Sequence, residues 1–181
     1  MTRDRLPPLC MASGIMPEAT PLQLVEAAAR AGFDYGGMWF EAADWTDATT
    51  RQVKAALRDT GLPLIDIEVV WIKPGPPDPD HLRLVDVGME LGARLCVSSD
   101  PDDGATRDKL AILAERAGDA IRINLEFGIF TEIKTIGQAS AILRAIDHPA
   151  MGLLIDALHW RRSGGTLAEV AAVPRAWLSY V

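Results

Sequence analysis

Short apolar runs recur along the chain, and a glycine or proline precedes most of them at intervals of roughly 25 to 31 residues. The runs occupy residues 9–16, 33–39, 62–71, 93–97, 121–127, 151–155 and 177–181. Short apolar runs that are bounded by Gly or Pro are typical of buried β-strands. The pattern therefore predicts seven strands.

The segments between these runs have the spacing of amphipathic helices. In the first of them, Thr20 and Pro21 supply a capping residue and a favourable first helical residue, and Gly32 supplies the stop. The other predicted helices cover residues 46–60, 79–91, 106–117, 135–146 and 166–173. Strands that alternate with helices in this way pair in parallel, either in a doubly wound open sheet or in a (β/α)8 barrel.

Polar residues inside two of the strands favour the barrel. Asp66 and Glu68 alternate with apolar residues in the third run, and Arg122, Asn124 and Glu126 do so in the fifth. Charged groups at these positions would be costly beneath the helices of an open sheet, whereas a barrel directs them into its interior. No run is followed by the glycine-rich turn of a dinucleotide-binding sheet. We therefore predict an α/β fold, a (β/α)8 TIM barrel.

The chain is short for a complete barrel. A (β/α)8 barrel usually takes about 250 residues, whereas this chain has 181 and ends inside the seventh apolar run. No linker interrupts the alternation, so we expect residues 1–181 to form a single TIM barrel domain. We expect that domain to be truncated at its C-terminus. The open edges of such a barrel would favour association into a homo-oligomer.

Charge and cysteine content narrow the functional classes. The sequence has 25 acidic and 18 basic residues, for a net charge of -7, and the basic residues form no run. Nucleic acid and anionic membrane surfaces are therefore poor partners. Cys10 and Cys96 are the only cysteines, and no apolar stretch has the length of a signal peptide or a membrane span. These features predict a cytoplasmic protein with a small-molecule partner.

Two carboxylates stand where predicted strands end. Glu126 lies at the end of the fifth strand, Asp156 follows the sixth, and His159 comes three residues later. The carboxyl ends of barrel strands form the mouth where catalytic groups of this fold lie, so both carboxylates could reach one cation. Carboxylates suit Mg2+ and Mn2+, and an imidazole shifts the preference toward Mn2+, Co2+ or Zn2+. Each carboxylate taken alone could equally cap the following helix or pair with a basic residue such as Arg161.

Three segments carry a resemblance to a known family. They are AAARAGFD at residues 27–34, NLEF at 124–127 and IDALH at 155–159. The chain resembles the xylose isomerase-like TIM barrels, which include sugar phosphate isomerase/epimerases, ketose 3-epimerases, hydroxypyruvate isomerase and inosose dehydratase. The resemblance implies that Glu126 and Asp156 are metal ligands, that His159 contacts substrate and, more weakly, that Glu132 does so. The family's two further ligands, a His and a Glu on later strands, would fall beyond Val181.

The resemblance implies a divalent-metal-dependent sugar or sugar phosphate isomerase/epimerase. Its cofactor would be Mn2+, Mg2+, Co2+ or Zn2+, and Glu126 would also transfer the proton next to the carbonyl of a sugar or hydroxyketone. Trp39 and Trp71, near the ends of the second and third strands, could form an apolar wall against the substrate, with core or rim packing as the alternative.

Three other functions stay open or are disfavoured. An inosose dehydratase-like lyase and a non-catalytic barrel that binds a small molecule or a partner both remain alternatives. An endonuclease IV-like nuclease is disfavoured because its zinc cluster needs histidines on early strands, and none precedes His81. The negative net charge also argues against a nuclease.

Overall fold

The computed structural model describes residues 7–180, which form one parallel sheet with helices along it. Six strands pair in chain order, each parallel to the next. The strands are β1 Cys10–Met11, β2 Tyr35–Trp39, β3 Leu64–Ile72, β4 Arg94–Ser99, β5 Ile123–Glu126 and β6 Met151–Leu154. The helices are α1 Pro21–Ala31, α2 Asp47–Thr60, α3 Pro79–Leu91, α4 Gly104–Ala117, α5 Ile136–Ile146, α6 Ala157–Arg162 and α7 Leu167–Ala171. This is the wall of a partial TIM barrel, as the alternation predicts.

Capping residues fix where the main helices begin and end. The hydroxyls of four threonines accept hydrogen bonds from backbone N–H groups in the first turns of α1, α2, α5 and α7. These caps are Thr20, Thr46, Thr135 and Thr166. Gly32 and Gly61 end α1 and α2 in the left-handed conformation, with φ of 76° and 71°. Because a glycine adopts this conformation without a Cβ clash, the chain can turn directly into the next strand.

The two faces of the sheet differ in chemistry. The face toward the helices is apolar, and its residues Val70, Ile72, Leu95, Val97, Ile123 and Leu125 are fully buried. The alternate positions carry the polar side chains of Asp66, Cys96, Ser98, Asn124 and Glu126. Each large apolar side chain buried on the helix side contributes about 1.5–3 kcal/mol. That apolar layer allows the opposite face to be polar.

The last apolar run does not form the predicted seventh strand. Arg175–Trp177 is a 3-10 helix, and Leu178 makes a single parallel bridge with Leu153 of β6. The prediction of a strand over 177–181 is therefore wrong within the described residues, and Val181 lies outside them. The 3-10 helix takes up the start of the run, and of the described residues after it Leu178 alone bridges to β6, where a next strand would begin.

The first predicted strand is also shorter than expected. Residues 9–16 contain only the two-residue strand β1, and a 3-10 helix, Ser13–Ile15, follows it. The Ser13 hydroxyl is fully buried and donates a hydrogen bond of 3.0 Å to Glu68 Oε2. This contact ties the 3-10 helix to the inward-facing side of β3. Among the described residues, no helix has the length and apolar character that crossing a membrane requires.

Asp66 is the most deeply buried carboxyl group of the polar face. It is 4% exposed, and the Tyr180 hydroxyl donates a hydrogen bond to it. Burial raises the pKa of Asp66 from 3.8 to about 7, with a smaller contribution from the charge of Glu68. The hydrogen bond from Tyr180 and the charge of Arg94 act in the opposite direction. The folded protein therefore holds a proton on Asp66 that the unfolded chain releases at lower pH.

We expect this proton to make stability pH-dependent. Because the pKa of Asp66 is higher in the folded state, its proton contributes to the stability of the folded protein. This contribution is complete below pH 3.8 and is lost as the pH rises through about 7. Asp66→Asn retains an acceptor for Tyr180 but cannot ionise. The free energy of unfolding of the variant minus that of the wild type should therefore increase by about 2–3 kcal/mol between pH 5 and pH 9.

Urea denaturation at a series of pH values measures this difference. Asp108→Asn, which changes an exposed carboxyl on α4, is the matched control and should follow the wild type at every pH. Parallel curves for wild type and Asp66→Asn would show that Asp66 is ionised in the folded protein.

Candidate metal centre

Three side chains meet at the carboxyl ends of β5 and β6. Glu126 is the last residue of β5 and pairs in register with Leu154, the last residue of β6. Asp156 follows two residues later, and His159 lies in the first turn of α6. Potential ligand atoms of Glu126, Asp156 and His159 all lie within 4.8 Å of one another. No other such group of His, Cys, Asp or Glu occurs within residues 7–180.

Asp156 both joins this cluster and caps a helix. Its Oδ1 accepts a hydrogen bond of 2.8 Å from the backbone N–H of His159, so Asp156 is the N-cap of α6. The sequence predicted no helix here, although helix capping was one reading of this carboxylate. Because the cap uses Oδ1, Oδ2 remains for another ligand, and no ion pair with Arg161 forms in the described part of the chain.

Glu126 is a partly buried carboxylate with weak protein partners. Its Oε2 accepts hydrogen bonds from Ser98 Oγ at 3.4 Å and Cys96 Sγ at 3.8 Å. The pKa of Glu126 is raised to about 7, mainly by burial and to a smaller extent by the charges of Asp156 and Glu68. Burial also holds the pKa of the Cys96 thiol well above its usual range, so the thiol stays a neutral donor. Within residues 7–180, neither Lys nor Arg forms an ion pair with Glu126.

His159 completes a donor set that fits a divalent cation. Its Nδ1 is buried and has no hydrogen-bond partner among residues 7–180. A buried nitrogen without a partner destabilises the folded protein unless a ligand or a solvent molecule binds to it. Two carboxylates and one imidazole suit Mn2+, Co2+ or Zn2+, and the carboxylates alone suit Mg2+. A cation would also relieve the repulsion between Glu126 and Asp156.

The two carboxylates open onto a cavity inside the partial barrel. Its volume is about 700 Å³, within the usual range of small-molecule sites. Its lining includes Glu126, Asp156, Asp66, Glu68 and Tyr180. The cavity therefore combines four acidic side chains with an otherwise largely apolar lining, and it is large enough for a sugar-sized molecule.

Three other residues singled out from the sequence lie elsewhere. The Glu132 side chain is 68% exposed, forms an ion pair with Lys134 at 3.3 Å and lies outside the three-residue cluster. Trp39 lines a separate cavity of about 640 Å³ near the start of α2. Trp71 approaches the cluster indirectly, because its ring lies 5.7 Å from that of Phe130, which contacts His159.

Sequence reasoning missed Phe130, which lies beside the cluster, and gave Glu68 no role at the site. Phe130 packs edge-on against the His159 imidazole, with ring centroids 4.6 Å apart. A large apolar residue in the loop after a strand's carboxyl end was the available signal. Glu68, an inward polar position of β3, lines the cavity and accepts a hydrogen bond from Ser13.

The sequence is similar to a known family along most of its length. The profile of the family described as xylose isomerase-like TIM barrel matches residues 25–181. A 3-dehydroshikimate dehydratase of Pseudomonas putida (strain KT2440) is 28% identical over 178 residues, which cover 90% of this chain and 27% of the dehydratase. The chain thus spans about a quarter of that relative's length.

Solved structures show the same fold. The IolI protein, whose crystal structure contains a bound zinc atom, superimposes with a TM-score of 0.78 at 15% identity, covering 95% of this chain and 70% of IolI. A protein described as the probable 3-DHS dehydratase AsbF, from Bacillus anthracis, gives a TM-score of 0.71 at 15% identity, covering 96% of this chain and 72% of AsbF. At these identities the likeness concerns the fold.

We expect a divalent cation to stabilise the protein through Asp156. Asp156→Ser removes the carboxylate but keeps a side chain that caps α6. A cation at 100 times its Kd should raise the free energy of unfolding of the wild type by about 2.7 kcal/mol. The serine variant should lose most of this gain while remaining folded.

Thermal melts with Mn2+, Co2+, Zn2+ or Mg2+, and with a chelator, measure the effect. Glu132→Gln changes an exposed carboxylate outside the cluster and should keep the full response. A metal response that survives in Asp156→Ser would remove this carboxylate from the ligand set.

Proposed function

The chain belongs to the xylose isomerase-like TIM barrel family, and from this premise we propose that Glu126, Asp156 and His159 hold a divalent metal ion and transfer a proton next to the carbonyl of a small hydroxyketone. The observation that carries the proposal is the cluster itself. Two neighbouring carboxylates and a buried, unpartnered imidazole nitrogen meet at the end of adjacent strands. The zinc atom bound in IolI supports Zn2+ as one occupant, beside Mn2+, Mg2+ and Co2+.

When bound, a divalent ion supplies polarisation of the substrate carbonyl and stabilises the negative charge that develops on its oxygen. The protein's own contribution begins with Glu126. In the absence of a cation the site raises the pKa of Glu126 to about 7, and we assign this carboxyl group the proton transfer next to the carbonyl. Ser98 and Cys96 donate hydrogen bonds to the same oxygen, Oε2, and so hold the carboxyl group in one orientation.

The remaining groups bind and shield the substrate. His159 lies beside both carboxylates, where its imidazole can also contact a substrate hydroxyl. Phe130, with the half-buried Trp71 behind it, forms an apolar wall next to His159 that suits the C–H face of a sugar. Trp39 and Glu132 lie away from the cluster and are weaker candidates for substrate binding.

The fate of the proton decides the reaction. Return of the proton to the opposite face of the same carbon gives epimerisation, and return to the neighbouring carbon gives isomerisation. We propose an isomerase or epimerase of a sugar or sugar phosphate, because both reactions begin with the proton transfer that we assign to Glu126. Epimerisation also needs a second acid that returns a proton to the opposite face of the substrate.

A dehydratase is the second candidate. The relative that is 28% identical is a 3-dehydroshikimate dehydratase, and AsbF is described as a probable 3-DHS dehydratase. Here Glu126 would take the proton next to the carbonyl, and the hydroxyl group on the adjacent carbon would leave as water after receiving a proton. The first step is shared with the isomerase, so the same residue serves both candidates.

We expect Glu126→Gln to slow proton exchange by about 10² to 10⁴. Glutamine has a similar shape but cannot accept the proton. Incubation of the metal-loaded protein with hydroxyketones in D2O, followed by 1H NMR, measures loss of the signal next to the carbonyl. A new sugar isomer or epimer would support the first candidate, and a new alkene signal would support the second.

Glu115→Gln, which changes an exposed carboxylate on α4, is the matched control and should exchange at nearly the wild-type rate. Wild-type exchange in Glu126→Gln would contradict the assignment of this residue as the proton carrier.

A further inference from the structure

An aromatic chain leads from the end of β3 to the candidate metal centre. The rings of Trp71, Phe130 and His159 follow one another, with centroid distances of 5.7 and 4.6 Å. We propose that Phe130 is a positioning residue, which holds the His159 imidazole in the orientation that faces Glu126 and Asp156. This inference rests on the proposed function in taking His159 as part of the metal site.

His159 lacks the usual means of orienting a metal-binding histidine. Such histidines normally donate their second ring N–H to a carboxylate, a backbone carbonyl or water, and this bond fixes the ring. Among the described residues neither ring nitrogen of His159 has such a protein partner, whichever of the two faces the carboxylates. The Asp156 cap fixes the His159 backbone and leaves rotation about the side-chain bonds free. The edge-on contact with Phe130, with rings inclined at 62°, therefore remains to orient the imidazole.

The other end of the aromatic chain is anchored. Trp71 Nε1 donates a hydrogen bond of 2.6 Å to Asp100 Oδ1, and Lys73 Nζ forms an ion pair with Asp100 Oδ2 at 3.0 Å. The Lys73 ammonium also lies 4.7 Å from the centre of the Trp71 ring. These contacts hold the indole, which gives Phe130 a fixed surface on the side away from His159.

The loop that carries Phe130 is fixed by its own backbone. Gly128 N–H donates to Ile133 O at 3.0 Å, and Thr131 N–H donates to Gly128 O at 3.1 Å. The buried Thr131 hydroxyl donates a further bond of 3.0 Å to Ile133 O. The loop therefore closes on itself between residues 128 and 133.

Gly128 makes room for the Phe130 ring. A Cβ at position 128 would lie 2.2 Å from Cε1 of Phe130, which is far inside van der Waals contact. The ring folds back over residue 128, and a glycine is required there for the ring to reach His159. Phe130 is nevertheless 39% exposed, so a smaller residue at position 130 leaves the main core intact.

The test combines two readouts on four single variants. Phe130→Leu removes the ring, Gly128→Ala displaces it, and Phe130→Tyr keeps an aromatic ring at this position. Ile129→Ala changes the neighbouring residue, which is 52% exposed and has no part in the aromatic chain. The first readout is the set of His159 imidazole NMR signals in metal-free protein. The second is the Kd for Co2+, measured by calorimetry.

We expect Phe130→Leu and Gly128→Ala to shift or broaden the His159 signals and to weaken Co2+ binding by about 2- to 10-fold, the range of an aromatic pair. Phe130→Tyr and Ile129→Ala should resemble the wild type in both readouts. In a His159→Ala background, Phe130→Leu should have no further effect on the Kd, because the effect passes through the imidazole.

Unchanged His159 signals in Phe130→Leu would overturn the proposal. An equal loss of Co2+ affinity with and without His159 would do the same, because it would indicate general damage to the loop. If the wild type binds no Co2+, the proposed function fails, and the NMR signals of the metal-free protein alone decide whether Phe130 positions His159.

Discussion

The close approach of two carboxylates, Glu126 and Asp156, is the constraint on which the rest of the site depends. Like charges at this distance oppose each other, and burial adds to the cost of ionising Glu126. No basic side chain within residues 7–180 forms an ion pair with either group. The apolar face of β5 and β6 sustains this arrangement, because its packing against the helices fixes where both strands end. A cation between the carboxylates would turn the repulsion into attraction.

Local patterns in the sequence were sufficient to predict the wall of the barrel. Alternation in β3 and β5 separates an apolar face from a polar one, and threonine and glycine signals mark helix ends close to their observed places. The same alternation indicated that Glu126 and Asp156 lie at strand ends. Helix α6 could not be predicted because its six residues carry no amphipathic repeat and depend on the Asp156 cap. The last run did not form a strand because a 3-10 helix takes up its start and leaves a single bridge to β6, and apolar character alone does not distinguish these conformations.

Side-chain direction in the loops depends on tertiary structure. Glu132 follows β5 at a spacing that suggested a site residue, yet the hydrogen-bonded turn over residues 128–133 leaves its carboxylate at the surface with Lys134. The same turn brings Phe130 against His159. Asp156 therefore positions the backbone of His159 and the loop positions its ring, so two elements far apart in sequence define one imidazole. The spacing of residues along the chain does not predict the direction of either the Glu132 or the Phe130 side chain.

Two carboxyl groups of the interior share a raised pKa of about 7, and their surroundings distinguish their roles. Asp66 is almost fully buried and accepts a hydrogen bond from Tyr180, so its proton belongs to the packed interior. Glu126 has only long hydrogen bonds from Ser98 and Cys96, and it adjoins a second carboxylate and an unpartnered imidazole nitrogen. A group that exchanges protons with a substrate needs such an open, acidic neighbourhood. The neighbours of each carboxyl group, and not its pKa alone, therefore favour Glu126 as the proton carrier.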